Sequence, residues 1–164
     1  MAVYTDIRAD DLDMFVAGYD IGAVVSCEGI AQGIEHSNFL LCTDAGKFVL
    51  TLYEKRVRRE DLPFYLGLMA HLADRGFPCP VPVRDRNGEM VHTLSRRPAA
   101  IVTFLDGDWP RDIAPEHCRA IGAAAARLHV GGADFTINRP NDLSQSAWQP
   151  IFAPLASRAN ELQS

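Results

Sequence analysis

The chain has 164 residues, 48% of them hydrophobic, with 16 basic and 21 acidic side chains for a formal charge of −5. That length and composition suit a globular fold with one real core and exclude a disordered or low-complexity chain. Basic runs interleaved with aromatic residues are absent and no apolar stretch is long enough to span a bilayer, so neither nucleic acid nor membrane is expected as a partner.

The opening MAVYTDIRADDLD lacks the basic-then-apolar pattern of a secretory signal. Cys27, Cys42, Cys79 and Cys118 are scattered, without CxxC pairs or zinc-ligand spacing to the five histidines. A cytoplasmic protein with reduced thiols is therefore expected.

Residues 10–19 place Leu12, Phe15, Val16 and Tyr19 at helical spacing, with Asp10 or Asp11 as a cap. Residues 23–31, 34–43 and 47–54 read as three antiparallel strands, the last two joined by a Thr43-Asp44-Ala45-Gly46 hairpin. After a charged connection, Leu62, Tyr65, Leu66, Met69 and Leu72 share one face of a helix that begins near Asp61-Leu62-Pro63 and stops at Gly76. The run from Phe77 to Val83 must be extended, because each proline fixes φ and pushes its predecessor out of the helical region.

Asn87-Gly88 predicts a hairpin between residues 81–86 and 90–94. RPAAIVTFL, residues 97–105, reads as a buried strand that stops at Asp106-Gly107-Asp108-Trp109-Pro110. Beyond it, residues 115–130 form an alanine-rich helix ended by Gly131-Gly132, and a last helical stretch, residues 147–162, is interrupted by Pro150 and Pro154. This order predicts an α+β fold with a mainly antiparallel sheet, followed by the beginning of a helical region.

Gly29 and Gly33 stand in the loop before the second strand. Without a Cβ, their backbone can approach a phosphate and aim N–H groups at it. Two glycines alone are more often an ordinary tight bend.

The segments GIAQGIEHSNFLLCT, GKFVLTLYEKR, LPFYLGLMAHLADRGFPCPVPVRDRNG, RPAAIVTFLDGDWP and AIGAAAARLH cover most of residues 20–130. Together they closely resemble homoserine kinases of the aminoglycoside-phosphotransferase and choline-kinase-like superfamily. The resemblance implies a protein-kinase-like N-lobe over residues 1–105, then a hinge connection and the first helices of a helical C-lobe over residues 106–164. It implies ATP-dependent phosphorylation of L-homoserine to O-phospho-L-homoserine, on the route to threonine, with Mg²⁺ as the accompanying ion. Choline, a sugar or an aminoglycoside is the alternative acceptor.

By the same resemblance, residues 29–38 cover the phosphates and the hinge Thr103, Phe104, Leu105 and Asp106 holds the adenine. A hinge suits that task because adenine needs one donor and one acceptor over an apolar floor. Of Glu35, His36, Ser37 and Asn38, alternation lets at most two meet a ligand, and Ser37 and Asn38 are preferred.

Two departures from the pattern stand out. A kinase places a lysine on its third strand, where this chain has Thr51; Lys55, on the same strand face by period two, is the candidate replacement. His92, His117 and His129 are not followed by Gly-Asp, so the HGD-type catalytic loop and the later metal-binding aspartate do not occur. No catalytic or metal-ligating residue is therefore assigned. The chain is expected to be the N-terminal portion of a longer enzyme, inactive alone, or a non-catalytic nucleotide- or partner-binding protein that self-associates through its uncovered face.

Overall fold

The computed structural model describes residues 3–31, 35–54, 57–108, 110–142, 144–155 and 158. Its strands are β1 Val24–Gly29, β2 Ser37–Thr43, β3 Gly46–Leu52, β4 His92–Leu94 and β5 Arg97–Thr103. They form one antiparallel sheet in the order β1-β2-β3-β5-β4. Helix α1 (Ala9–Val16) precedes the sheet and α2 (Leu62–Asp74) enters between β3 and β4, while α3 (Pro115–Gly132) and α4 (Gln145–Phe152) follow it.

Side-chain alternation divides the sheet between the first two helices. Phe39 and Leu41 of β2, Leu50 and Leu52 of β3, and Ala99 and Ile101 of β5 are buried on one face, against Leu12 and Val16 of α1 and against Tyr19 and Ile21 beyond it. On the opposite face Leu62 and Leu66 of α2 pack on Tyr53, Ala100 and Val102. Burying each large aliphatic side chain contributes roughly 1.5–3 kcal/mol, so these two clusters fix the helix–sheet–helix layering.

Local chemistry sets the ends of the elements. Asp44 Oδ1 accepts the Ala23 N–H at 3.0 Å, which ties the β2–β3 turn to the start of β1. Gly22 sits at φ +80°, and a Cβ on it would collide with the Asp44 carboxylate. Gly22→Ala is expected to lower stability by about 1–2 kcal/mol, read as a reduced urea midpoint. An unchanged midpoint would show that the Asp44 turn does not depend on this glycine.

Several elements differ from expectation. Helix α1 ends at Val16, and Arg8 rather than an aspartate precedes it; Asp10 and Asp11 lie in its first turn, where their charge favours the helix dipole. Asn87-Gly88 does turn, with Gly88 at φ +87° and Asp85 Oδ1 accepting the N–H groups of Asn87 and Glu89. The flanking segments form no ladder with each other, however. Val83 N–H donates to Ile101 O and Thr103 N–H to Val81 O, so the extended segment pairs with β5. Pro78, Pro80 and Pro82 alternate with these valines, so the missing N–H groups fall where the edge needs no donor.

The β4–β5 connection was not foreseen. It is a two-residue loop whose Ser95 and Arg96 both adopt positive φ, +48° and +61°, without the glycine or asparagine that usually signals such a turn. Helix α3 runs through Gly131 and has Gly132 as its last residue, two residues beyond the expected end. They lie against Leu72 and Leu68 of α2, where a Cβ on Gly131 would come within 3.2 Å of Leu72 Cδ2. Close helix approach accounts for Gly131, while Gly132 closes the helix.

Candidate functional site

The α2-facing side of the sheet is only partly covered. Beyond the part under α2, Leu40 of β2, Val49 of β3, Val102 of β5 and the following Phe104 are half-buried and form an apolar floor. Asn38 and Thr51 are cross-strand partners on this same face, and Thr51 Oγ1 donates to Asn38 Oδ1 at 2.8 Å. The His36 ring meets Tyr53 edge-on at 5.1 Å, and among the described residues its buried Nδ1 has no hydrogen-bond partner. Burial pushes the Tyr53 phenol up to about 12, so it remains neutral below the site. One end of the face therefore offers polar groups of three types and the other an apolar floor that runs to the hinge.

At the hinge end, Thr103 is engaged elsewhere. Its N–H donates to Val81 O and its hydroxyl accepts the Val81 N–H at 2.9 Å, so it holds the proline-rich edge rather than an adenine. The Phe104 N–H donates to Lys47 O at 3.2 Å. Leu105 and Asp106 are exposed, and no backbone hydrogen bond from either N–H occurs among the described residues. Of residues 103–106, only Leu105 and Asp106 thus have N–H groups without a backbone partner among the described residues.

Sequence reading passed over Lys47, whose Nζ stands 5.9 Å from the centre of the Phe104 ring. Strand alternation could have found it, since Lys47 shares the face of Val49 and Thr51. Four residues of strand, about 13 Å, separate it from Thr51, so it serves the hinge end.

Two expectations for the loop are corrected. Ser37 points to the opposite face, is fully buried, and uses its hydroxyl within the protein: it donates to Glu54 Oε1 at 2.7 Å and accepts the N–H groups of Tyr4 at 2.9 Å and Thr5 at 3.2 Å. A hydroxyl has one proton and two lone pairs, so nothing remains for a phosphate. Gly29 ends β1, and a Cβ there would stand 2.7 Å from Val3 Cγ2, so the room the glycine leaves is filled by Val3. Gly33 and Lys55 lie outside the described residues.

Glu54 is the acidic hub that sequence reading did not single out. Its side chain is 8% exposed, accepts from Thr5 Oγ1 at 2.7 Å as well as from Ser37, and pairs through Oε2 with Arg97 Nε at 3.1 Å. Burial alone would raise its pKa, but the Ser37 and Thr5 hydrogen bonds and the nearby Arg97 and His36 outweigh it and hold the carboxyl below its ordinary value. A second cluster lies at the start of α2. Hydrogen bonds from Arg58 at 3.2 Å, assisted by Arg139 Nε at 3.1 Å, keep the Asp61 carboxyl low against its burial. Arg139 also lies over the Tyr65 ring at 5.6 Å, tying the chain after α3 back to α2.

The phosphotransferase enzyme family model matches residues 26–163. Homoserine kinases of Rhodospirillum rubrum and Rhodopseudomonas palustris are each 56% identical to this chain over 163 residues, 99% of it and 51% and 50% of their own lengths. That of Paramagnetospirillum magneticum is 54% identical over the whole chain and 50% of its own length. The chain thus spans about half the length of the curated relatives it matches.

Among solved structures, spectinomycin phosphotransferase in complex with ADP and spectinomycin aligns with a TM-score of 0.61 at 10% identity, over 96% of this chain and 56% of that one. A microcompartment-associated aminopropanol kinase aligns with a TM-score of 0.62 at 16% identity, over 94% and 56%. At these identities the likeness is one of fold.

Proposed function

The chain belongs to the phosphotransferase enzyme family, and from that we propose that it is the nucleotide-holding portion of an ATP-dependent homoserine kinase, the parent protein making O-phospho-L-homoserine. The observation that carries this reading is the match of homoserine kinases along 99% of the chain at 56% identity. The fold supports it, since the five-stranded sheet with α2 on one face is a kinase-like N-lobe of the kind the structural neighbours contain.

Roles follow from the chemistry of the half-covered face. Leu40, Val49, Val102 and Phe104 form the adenine floor, and the backbone of Leu105 and Asp106 supplies the edge contacts. His36, Asn38 and Thr51 take the phosphate end; the Thr51 proton is given to Asn38 Oδ1, which leaves the Asn38 amide N–H groups to donate, and the phosphates need added positive charge, for which Lys55 is retained as the candidate. In this reading residues 1–105 are the nucleotide lobe and residues 106–164 the hinge connection and the first helices of the second lobe.

Among the described residues no group of three or more His, Cys, Asp or Glu is placed to hold a metal ion. The Mg²⁺ ligands and the carboxylate that orients the attacking hydroxyl are accordingly assigned to the remainder of the parent, and no step on this chain runs through the metal. Among the described residues no helix is long and apolar enough to cross a membrane, and a cytoplasmic location is part of the proposal.

Exposed apolar side chains support the division of the chain. Ile121 and Val130 on α3 are 68% and 79% exposed, and Phe152 on α4 is 61% exposed. The remainder of a parent about twice as long is the proposed cover for these helices, and self-association of the isolated chain is the alternative fate of the same surface.

The test is substrate-dependent ADP release by the parent protein with L-homoserine, choline or an aminoglycoside in the presence of Mg²⁺. Preference for L-homoserine is expected, and the 164-residue chain alone should show no turnover. Preference for choline or an aminoglycoside would overturn the acceptor, and robust turnover by the isolated chain would overturn the division of labour.

A further inference from the structure

The first described residues reach both stems of the loop that joins β1 to β2. Val3 fills the space beside Gly29, the last residue of β1. Tyr4 and Thr5 donate their N–H groups to Ser37 Oγ, on the first residue of β2. Thr5 then donates its hydroxyl to the same Glu54 oxygen that accepts from Ser37, both at 2.7 Å. Three consecutive residues thus hold the end of β1, the start of β2 and the segment just past β3 in one arrangement.

That arrangement has a directional consequence. Ser37 is pinned into the buried face, so its neighbours His36 and Asn38 are turned to the opposite face by strand alternation. Those are the two loop-side residues that meet the candidate nucleotide surface. β1 is an edge strand, and beyond its ladder the described loop stems are joined by a single backbone bond, Ile30 N–H to Asn38 O at 2.8 Å.

We propose that residues 3–5 are a strap that positions the nucleotide-covering loop, with Glu54 as its buried anchor and Gly29 as the gap that seats Val3. The strap touches no substrate; Thr5, Ser37 and Glu54 are positioning residues that act through His36 and Asn38. This inference rests on the nucleotide reading of the α2-side face. It assigns Gly29 a role different from that of a phosphate-loop glycine, because its missing Cβ makes room for a side chain rather than an anion.

The 164-residue chain is tested with a fluorescent ADP analogue and Mg²⁺, together with hydrogen exchange at the amides of Ile30, Ala31, Glu35 and His36. Gly29→Ala and Thr5→Val should each weaken nucleotide binding by about 3- to 10-fold, the range one lost hydrogen bond or displaced contact spans, and should speed exchange at those four amides. Exchange at Leu50 and Ile101 should not change, which separates displacement of the strap from loss of the fold. In Val3→Ala/Gly29→Ala, removal of the Val3 methyls reopens the gap, and affinity should return to within about twofold of wild type.

Equal affinity in wild type, Gly29→Ala and Thr5→Val would overturn the strap, and so would a Gly29→Ala loss that Val3→Ala does not restore. If wild type binds no nucleotide, the nucleotide reading falls separately. Faster exchange at the four amides in Gly29→Ala and Thr5→Val would then still uphold the strap as the device that orders the loop, and unchanged exchange would remove it.

Discussion

Leu50→Ala should destabilise the lobe by about 2–5 kcal/mol, the range of a buried leucine whose removal leaves a cavity. Leu50 is fully buried on β3, the middle strand of the sheet, and its register partners Phe39 and Ile101 stand on the same α1-facing side. With a urea dependence of about 2 kcal/mol/M, the middle of the range for small domains, the midpoint should fall by roughly 1–2.5 M. The neighbouring Val49 faces the half-covered side, so Val49→Ala should cost less than about 1 kcal/mol, close to the expectation for a position outside the core. The contrast tests the parity of the sheet, because a one-residue slip exchanges the two faces along the whole strand. Equal losses for the two variants would mean that the face assigned to nucleotide is packed core.

The same parity shows where sequence reading succeeds and where it stops. Alternation places Asn38 and Thr51 on one face, and the turn chemistry of Thr43-Asp44-Ala45-Gly46 sets the register that makes them partners. Nothing local says which face α2 will cover. Position directly after the glycine-bearing loop makes Ser37 a candidate ligand alongside Asn38. Its actual partners, Tyr4, Thr5 and Glu54, lie 33, 32 and 17 residues away, beyond the reach of periodicity.

Glycine was legible where it governs φ, as at Gly76 and Gly88, both at positive φ. It was misread at Gly29 and Gly131, where the reason for glycine is the close approach of a side chain from another element. The proline run was read correctly as extended, yet its pairing with β5 depends on the alternation of Val81 and Val83 donors against a strand 20 residues downstream. Local propensity marks elements and their ends, and tertiary neighbours decide what each special residue is for.

Glu54→Gln should lower stability at neutral pH by about 1–3 kcal/mol, since a neutral amide weakens charge-assisted acceptance from Ser37 and Thr5 and turns an N–H group toward Arg97. The native carboxyl titrates below its unfolded value, so its contribution is complete above about pH 4.3, the ordinary glutamate value, and is lost as pH falls through the lower folded pKa. Asp61, Asp85 and Asp134 are also held low in the folded chain and weaken it over the same acid range, so the fall in wild-type stability alone identifies no one group. The difference between wild type and Glu54→Gln isolates Glu54: it should be largest near pH 7 and shrink as pH falls through the lowered folded pKa, in urea titrations of both proteins. A difference independent of pH would show that packing around Glu54, rather than its charge, holds the Thr5–Ser37–Arg97 cluster. If the charge is the anchor, acid should also lower hydrogen-exchange protection, taken relative to the intrinsic amide rate at each pH, at Ile30 and His36 before it does at Leu50, because the loop stems depend on Glu54 and the core strand does not.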